Sequence, residues 1–342
     1  MKKNHSRKSS NRVTLQDVAQ RIGVSAITVS RALNKPEKVS GDMRRKVEAA
    51  TKELGYIPNR AASALASAES HIVGLIIPSL TNYVFAKVIR AVYNVLLPEG
   101  YQILLGNSHY SPIEEEKLIA TFLEQNADGI IVTGLDQTDH GRRMLCQAGV
   151  PIVQIMEVGD SIIDMNVGFS HFQAAYDITC HLIERGCKDI GFLGARMDPR
   201  AQRRLQGYQK ALEDVGLSWR GKISTTHQPS SVKLGGELLL DLLSSADKID
   251  GIFCLNDDLA MGALFQCQRS HIHVPKDLAI AGFNDLEPSA CVNPSLTTVN
   301  PPRFKMGEMA ANMLLSRMQG EHLSEEQKQV DLGYEIIIRQ SS

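Results

Sequence analysis

The 342 residues are 43% hydrophobic and 22% charged, with a formal net charge of -1; disordered, collagen-like and cysteine-stapled classes are set aside, and a soluble globular protein of two or three domains is expected. The near-neutral total hides a division, because residues 1–69 carry 14 Lys and Arg against 6 Asp and Glu, a balance of +8, and the remainder sums to -9. A basic head on an acidic body fits a polyanionic partner gripped at one end.

In chain order, residues 1–13 are basic and polar and predict a mobile arm. No apolar stretch behind them forms a signal sequence, and no run of about 18 apolar residues is present to span a bilayer, so the cytoplasm is the expected compartment and no membrane is expected as a partner. At Thr14 the pattern turns helical: Thr14 can cap, Asp17 suits the positive helix end, and Leu15, Val18, Ala19 and Ile22 mark one apolar face. Gly23 stops this helix, and Ser25 can cap a second one running to about Leu33 with Val29 and Leu33 inward. Two short helices joined by Ile22-Gly23-Val24 have the form of a helix-turn-helix, whose second helix enters the major groove. Its candidate base readers are Ala26, Ile27, Thr28, Ser30 and Arg31. Arg31 can make two parallel hydrogen bonds to guanine, and Ala26 and Ile27 offer apolar contact to a thymine methyl. A third helix follows, capped by Ser40, with Met43, Val47, Ala50 and Leu54 at helical spacing before Gly55. A helical bundle unrelated to DNA is the alternative, and it leaves the charge excess unexplained.

The run from Val13 to Asn34 (Val-Thr-Leu-Gln-Asp-Val-Ala-Gln-Arg-Ile-Gly-Val-Ser-Ala-Ile-Thr-Val-Ser-Arg-Ala-Leu-Asn), followed by Gly55-Tyr-Ile-Pro-Asn-Arg-Ala61, resembles the head of the lac repressor family of bacterial transcription regulators. The resemblance implies a DNA-binding domain over 14–57 and a hinge over 58–69 that becomes helical on DNA. It adds Thr14, Ser25, Asn34, Tyr56, Asn59 and Arg60 to the DNA-contact set. Leu65 matches the family's wedge, which pries open a central base step from the minor groove. The stretch Asn59–Ala68 has the helix propensity for this role, although composition alone reads it as an Ala-rich linker.

From His71 onward, short apolar runs alternate with amphipathic stretches. Ile72–Ile77, Tyr101–Leu105, Gly129–Val132, Pro151–Ile155, Ile190–Leu193, Gly251–Leu255 and Leu278–Phe283 read as strands. Such alternation implies parallel sheets covered on both faces, and residues 70–342 suffice for two lobes with chain crossings between them. The expected fold class is therefore α/β: a small all-α head followed by a two-lobed parallel-sheet body. Ligands in parallel sheets collect beyond the C-terminal strand ends, here the loops 78–82, 106–110, 168–171, 194–204, 256–258 and 284–287.

Catalytic signatures are missing: no G-x-x-x-x-G-K-[ST], G-x-G-x-x-G after a strand, or G-x-S-x-G occurs. The six cysteines are scattered without a C-x-x-C pair and read as reduced packing residues, so neither a metal nor a cofactor is expected. Asp257 and Asp258 could hold a metal or do acid–base work, but read first as caps of the following helix.

The family resemblance continues through the body in Pro78-Ser-Leu-Thr-Asn82 with Phe85, in Asn256-Asp257 followed by Leu259-Ala-Met-Gly262, and in Pro275–Asp285, which resemble an effector-binding body similar to periplasmic sugar-binding proteins. By that correspondence Ser79, Asn82 and Phe85 line a cleft from one lobe, and Arg204, Asn256 and Asn284 from the other. Where relatives usually carry an Asp-Asn pair this chain has Ser170-His171, which removes a carboxylate that grips sugar hydroxyls. Phe253–Ala263, Leu193–Asp198, Pro302-Arg303 and Val330–Tyr334 resemble repressors of gluconate utilisation. That resemblance implies a sugar-acid effector, with Arg204 or Arg303 as partner of its carboxylate; a neutral sugar or a purine is the alternative ligand. Arg196, Arg200, Arg203, Arg204 and Arg303 supply guanidinium groups near the expected strand ends, suited to a sugar-acid carboxylate, although Arg200 and Arg203 read first as solvated helix residues. A homodimer on a palindromic double-stranded operator is expected, and since no extended heptad follows the body, a dimer is favoured over a tetramer zipped by a C-terminal coiled coil. An exported sugar-binding protein has no use for the head, and a nucleotide-dependent enzyme needs phosphate loops that do not occur.

Overall fold

A computed structural model describes residues 13–57, 69–246 and 248–342. Most of the expected arm and the hinge positions Asn59, Arg60 and Leu65 lie outside the described residues, as does the side chain of Asn34. The chain divides into two compact units, Met1–Ser70 and His71–Ser342.

The head contains α1 (Leu15–Ile22), α2 (Ala26–Asn34) and α3 (Gly41–Leu54). Thr14 and Asp17 close a capping box: the Asp17 amide donates to the Thr14 hydroxyl, and the Asp17 carboxylate accepts the Thr14 amide at 2.7 Å. Those bonds hold the Asp17 carboxyl below its ordinary range. Gly23, at φ +70°, ends α1 in the left-handed region that an L side chain enters at a cost. Ser25 and Ser40 cap α2 and α3. Val18, Ala19, Val29, Ala32, Val47 and Ala50, drawn from all three helices, bury one another in a small core.

In the first lobe of the body β1 (Ile72–Ile77), β2 (Gln102–Asn107), β3 (Gly129–Thr133), β4 (Ile152–Ile155) and β5 (Met165–Gly168) alternate with α4 (Val84–Leu96), α5 (Pro112–Glu124) and α6 (Asp139–Cys146). The chain then crosses to a second lobe made of α7 (His171–Glu184), β6 (Ile190–Ala195), α8 (Pro199–Asp214), β7 (Ile223–Thr226), α9 (Val232–Ser245), β8 (Gly251–Cys254), α10 (Asp257–Arg269), β9 (Ala279–Phe283) and β10 (Thr297–Asn300). Helix α11 (Arg303–Met318) returns to pack on α4, and α12 (Glu325–Lys328) leads into β11 (Gln329–Asp331) on the first sheet. Strand β12 (Glu335–Ile337) completes the second. The sheet orders are β11-β5-β4-β3-β1-β2 and β12-β10-β9-β8-β6-β7, and every adjacent pair is parallel except β10 with β12.

Along β1 the period of two is visible in the packing. Val73, Leu75 and Ile77 join the large core with Val88 and Leu314, whereas Ile76 faces the opposite core with Ile119 and Phe122. Both faces are covered, as right-handed crossover helices require. Helices α9 and α10 approach so closely that a Cβ on Gly262 would stand 1.9 Å from the Val232 carbonyl oxygen.

Among the described residues every cysteine is free; Cys187, Cys254 and Cys267 are buried, whereas Cys146 and Cys291 are exposed and do not serve the packing role expected of them. No described helix is long and apolar enough to cross a membrane.

Candidate functional site

On α2, Val29 and Ala32 turn inward, which leaves Ile27 and Arg31, one turn apart, on the outward face. Ile27 is 64% exposed, a large apolar side chain offered to solvent. Ala26 and Ser30 flank this face and are half-buried. The Ser25 and Thr28 hydroxyls lie 2.9 Å apart, with the Thr28 amide donating to Ser25 Oγ, so both also build the helix start. Tyr56, the last core-packed residue before the undescribed stretch, rests against the head core. The outward face of α2 combines an apolar contact with a guanidinium fork, the donor set that reads thymine methyls and guanine edges.

In the body a cleft opens where the C-terminal strand ends of the two sheets face each other. The loop after β1 brings Ser79 and Asn82, and α4 brings Phe85. The Asn82 amide donates to Ser79 Oγ at 3.1 Å, its Oδ1 accepts from the Val84 amide, and its Nδ2 donates to Tyr110 at the end of the loop after β2. From the second lobe Asn256 caps α10 through the Leu259 amide and accepts the Ser230 hydroxyl at 2.9 Å. Asn284 follows β9 at φ +118°, a conformation held open by its surroundings.

Arg204 forms the wall between the lobes. Its Nη1 donates to the Leu255 carbonyl at 2.6 Å, its Nε donates to His171 Nδ1 at 3.2 Å, and its plane lies 3.6 Å over the Phe283 ring. Burial lowers its pKa to about 10. Because Nδ1 of His171 accepts, Nε2 carries the proton that reaches the Met156 carbonyl at 2.9 Å. Burial first, and then the neighbouring arginines, push this imidazole well below its ordinary range, so it is neutral.

Of the sequence candidates, Ser79, Asn82, Phe85, Arg204, Asn256 and Asn284 converge on the cleft. Two do not. Ser170 caps α7 through the Gln173 amide, and its neighbour His171 faces the cleft instead. Arg303 is 2% exposed and does not line the cleft; its Nη2 donates to the Asp285 carbonyl at 2.9 Å, which supports the loop that carries Asn284 from behind. The expectation of a solvated Arg200 is also overturned: its side chain is 11% exposed and lines the cleft. Arg203 is half-exposed and pairs with buried Glu157 at 2.8 Å. Asp257 is no helix cap. It is fully buried and accepts from Thr298 Oγ1 at 2.6 Å, the Leu286 amide at 2.8 Å and Ser289 Oγ at 2.9 Å.

Arg196, one of the strand-end guanidinium groups expected to suit a carboxylate, does line the cleft, whereas sequence reasoning missed Tyr110, Met156, Ser230 and Asp258 as cleft residues. Tyr110 and Arg196 stood within the strand-end loops singled out, and they meet across the cleft with the guanidinium 4.2 Å from the ring centre. Ser230 had no signal, because the strand before it, Ile-Ser-Thr-Thr, is half polar. Among the described residues no cluster of His, Cys, Asp or Glu is arranged to hold a metal ion.

A helix-turn-helix head and a two-lobed body with a ligand-sized cleft at its strand ends define a ligand-responsive DNA-binding regulator. Residues 14–59 match the model of bacterial regulatory proteins of the lacI family, and residues 179–342 match a periplasmic binding protein-like domain. The chain is 41% identical over 336 residues to the HTH-type transcriptional regulator GntR of Pseudomonas aeruginosa, covering 98% of this chain and 97% of that one. It is 38% identical to the HTH-type transcriptional regulator IdnR of Escherichia coli, with coverages of 95% and 97%. The crystal structure of transcription regulator GntR from Chromobacterium violaceum superposes with a TM-score of 0.76 at 42% identity, over 79% of this chain and 99% of that one. The lac repressor dimer bound to operator and the anti-inducer ONPF superposes with a TM-score of 0.83 at 26% identity, over 97% and 99%. The chain belongs to the lacI family of bacterial regulatory proteins, as a DNA-binding transcription repressor and not an enzyme. Regulators of this family bind operator DNA and small-molecule effectors.

Proposed function

We propose that this protein works in the cytoplasm as a homodimer on a palindromic operator, and that a small sugar acid of the gluconate class, held in the interlobe cleft, changes its operator affinity. The reading of DNA falls to Ala26, Ile27, Thr28, Ser30 and Arg31, with Thr14, Ser25, Asn34, Tyr56, Asn59 and Arg60 toward the backbone and Leu65 as the minor-groove wedge. The observation that carries the effector class is the side-chain inventory of the cleft: Arg196, Arg200 and Arg204 stand with the amides of Asn82, Asn256 and Asn284, and Phe85 forms an apolar wall. Guanidinium groups recognise a carboxylate, amides recognise hydroxyls, and an apolar wall accepts a carbon chain.

Operator binding by the full-length protein, followed by fluorescence anisotropy at fixed salt, tests this reading with gluconate, glucose and a purine base as separate additions. A shift in operator affinity with gluconate supports it. A shift with glucose or the purine, and none with any sugar acid, refutes the effector class.

A further inference from the structure

The cleft arginines differ in how much of their hydrogen-bonding capacity is already used. Arg204 donates to Leu255 and His171 and stacks on Phe283, and Arg196 lies over Tyr110 and is only half-buried, so that water can reach its donors. Arg200 is different: its Nη1 is buried without a hydrogen-bond partner, and its nearest carboxylate, Asp198, is 3.7 Å from Nε. Native structures leave few buried donors unmade, because each forfeits its bond to water without replacement. The remaining acids around Arg200 come from the first lobe: Asp136 after β3, Glu157 after β4 and Glu115 on α5, with Tyr110 alongside. Arg200 is thus a cleft-lining, second-lobe cation reaching a first-lobe acid cluster, with one buried donor left unmade.

We propose that Arg200 is the residue that selects an anionic ligand: the ligand carboxylate becomes the partner of its guanidinium, and the first-lobe acids that Arg200 faces take up protons as its charge is shared. This deepens the proposed function and rests on it.

The direction of proton movement follows from the cluster. Burial pushes Glu115 and Glu157 up to about 7, so each holds its proton part of the time at neutral pH. Glu115 is faced by Asp136, Gln137 and Arg200, and Glu157 by Arg203, Arg200, Asp136 and Arg204. A new negative charge on Arg200 raises both carboxyls further. Neutral His171, bordered by Arg204, Arg200 and Arg203, moves in the same direction. A neutral ligand of the same shape brings no such charge, so it leaves the three groups where they are.

Calorimetry on the full-length protein at pH 7 tests the proposal, with gluconate and its neutral amide, gluconamide, each titrated in two buffers of different ionisation heat. The wild type is expected to prefer gluconate at least about tenfold, the worth of a hydrogen bond to a charged group, and to take up about 0.5–1 proton per gluconate. Arg200→Gln is expected to erase the preference and the uptake together. Arg200→Lys, which keeps the charge and loses the fork, is expected to retain the uptake with a reduced preference, and it decides the matter if the Gln variant does not fold. An unchanged preference in either variant, or a wild-type uptake of zero, overturns the inference and leaves the proposed function standing; failure of the wild type to bind any sugar acid removes both.

Discussion

Replacing Asp257 by Ala should be among the most damaging single changes in the body, and the cost can be worked from its surroundings. The carboxylate is fully buried and accepts three hydrogen bonds, from Thr298 Oγ1, the Leu286 amide and Ser289 Oγ. It also supplies the first countercharge to buried Arg303, whose own charge is otherwise offset by Asp285. Burial pushes the Asp257 carboxyl up, and those three donors pull it part of the way back. Truncation strands three donors and one buried cation, which costs about 3–5 kcal/mol. Asp257→Asn is milder. The amide oxygen can keep Leu286 and Ser289, both of which reach Oδ2, while the amide nitrogen donates to Thr298 Oγ1, whose hydrogen can turn to the Val299 carbonyl 3.5 Å away. Roughly 1–2 kcal/mol is expected for it. Trp219 is the chain's one tryptophan and packs against the body core, so urea unfolding followed by its fluorescence reports the body without the head. An Ala variant within about 1 kcal/mol of the wild type would refute the argument, and so would an Asn variant as unstable as the Ala variant.

Three further outcomes follow from the same geometry. Glu157 releases its proton near 7 when folded and near 4.5 when unfolded, so the folded state holds the extra proton between these values and stability falls as pH rises through that window; Glu157→Gln should flatten the fall, worth up to about 3 kcal/mol, in urea midpoints measured from pH 4.5 to 8. Arg31→Ala should weaken operator binding by about 1–3 kcal/mol and spare non-specific binding, and equal weakening on operator and random DNA in a gel-shift comparison would refute base reading. Gly262→Ala must part α9 from α10, since its Cβ would overlap the Val232 carbonyl, and a loss of about 2–3 kcal/mol in thermal or urea unfolding is expected.

The sequence displayed the strands whose side chains are apolar on both faces. Ile72–Ile77 was read to the residue, and Gly129–Val132, Gly251–Leu255 and Leu278–Phe283 to within one at either end. It hid β5, β7 and β10, which carry Asn166, Ser224, Thr297 and Thr298 in the interior. Those polar groups are paired by distant partners, Ser224 with Asp241 and Thr298 with Asp257, and no local pattern announces a hydrogen bond across 17 or 41 residues. The cleft shows the same limit. Asn82, Asn256 and Asn284 stand in loops that follow strands, so position marked their loops and the family resemblance marked the residues. Arg200 and Arg303 could not be placed in this way, because each is covered by residues from another part of the fold: the first-lobe acids over Arg200, and the Asp285 loop over Arg303.

The two walls of the cleft are not held alike, and this bears on how a ligand can act. On the second-lobe side Arg204 is fixed by Leu255, His171 and Phe283, Asn256 by Leu259 and Ser230, and the loop of Asn284 by Asp257 and Arg303 behind it. On the first-lobe side Ser79 and Asn82 are held mainly by bonds within their own turn and by one to Tyr110 at 3.3 Å. A wall built from long-range, buried contacts opens at a higher free energy than one built from local turns. A ligand that reaches both walls therefore meets a preformed half and orders the other. The difference in free energy between its bound and unbound forms falls chiefly on the loop 78–83 and on the Tyr110–Arg196 contact beside it. Hydrogen exchange on the full-length protein should then show ligand-induced protection concentrated at 78–83 and 107–111, with little change at 255–259; uniform protection of both walls would contradict this division of labour.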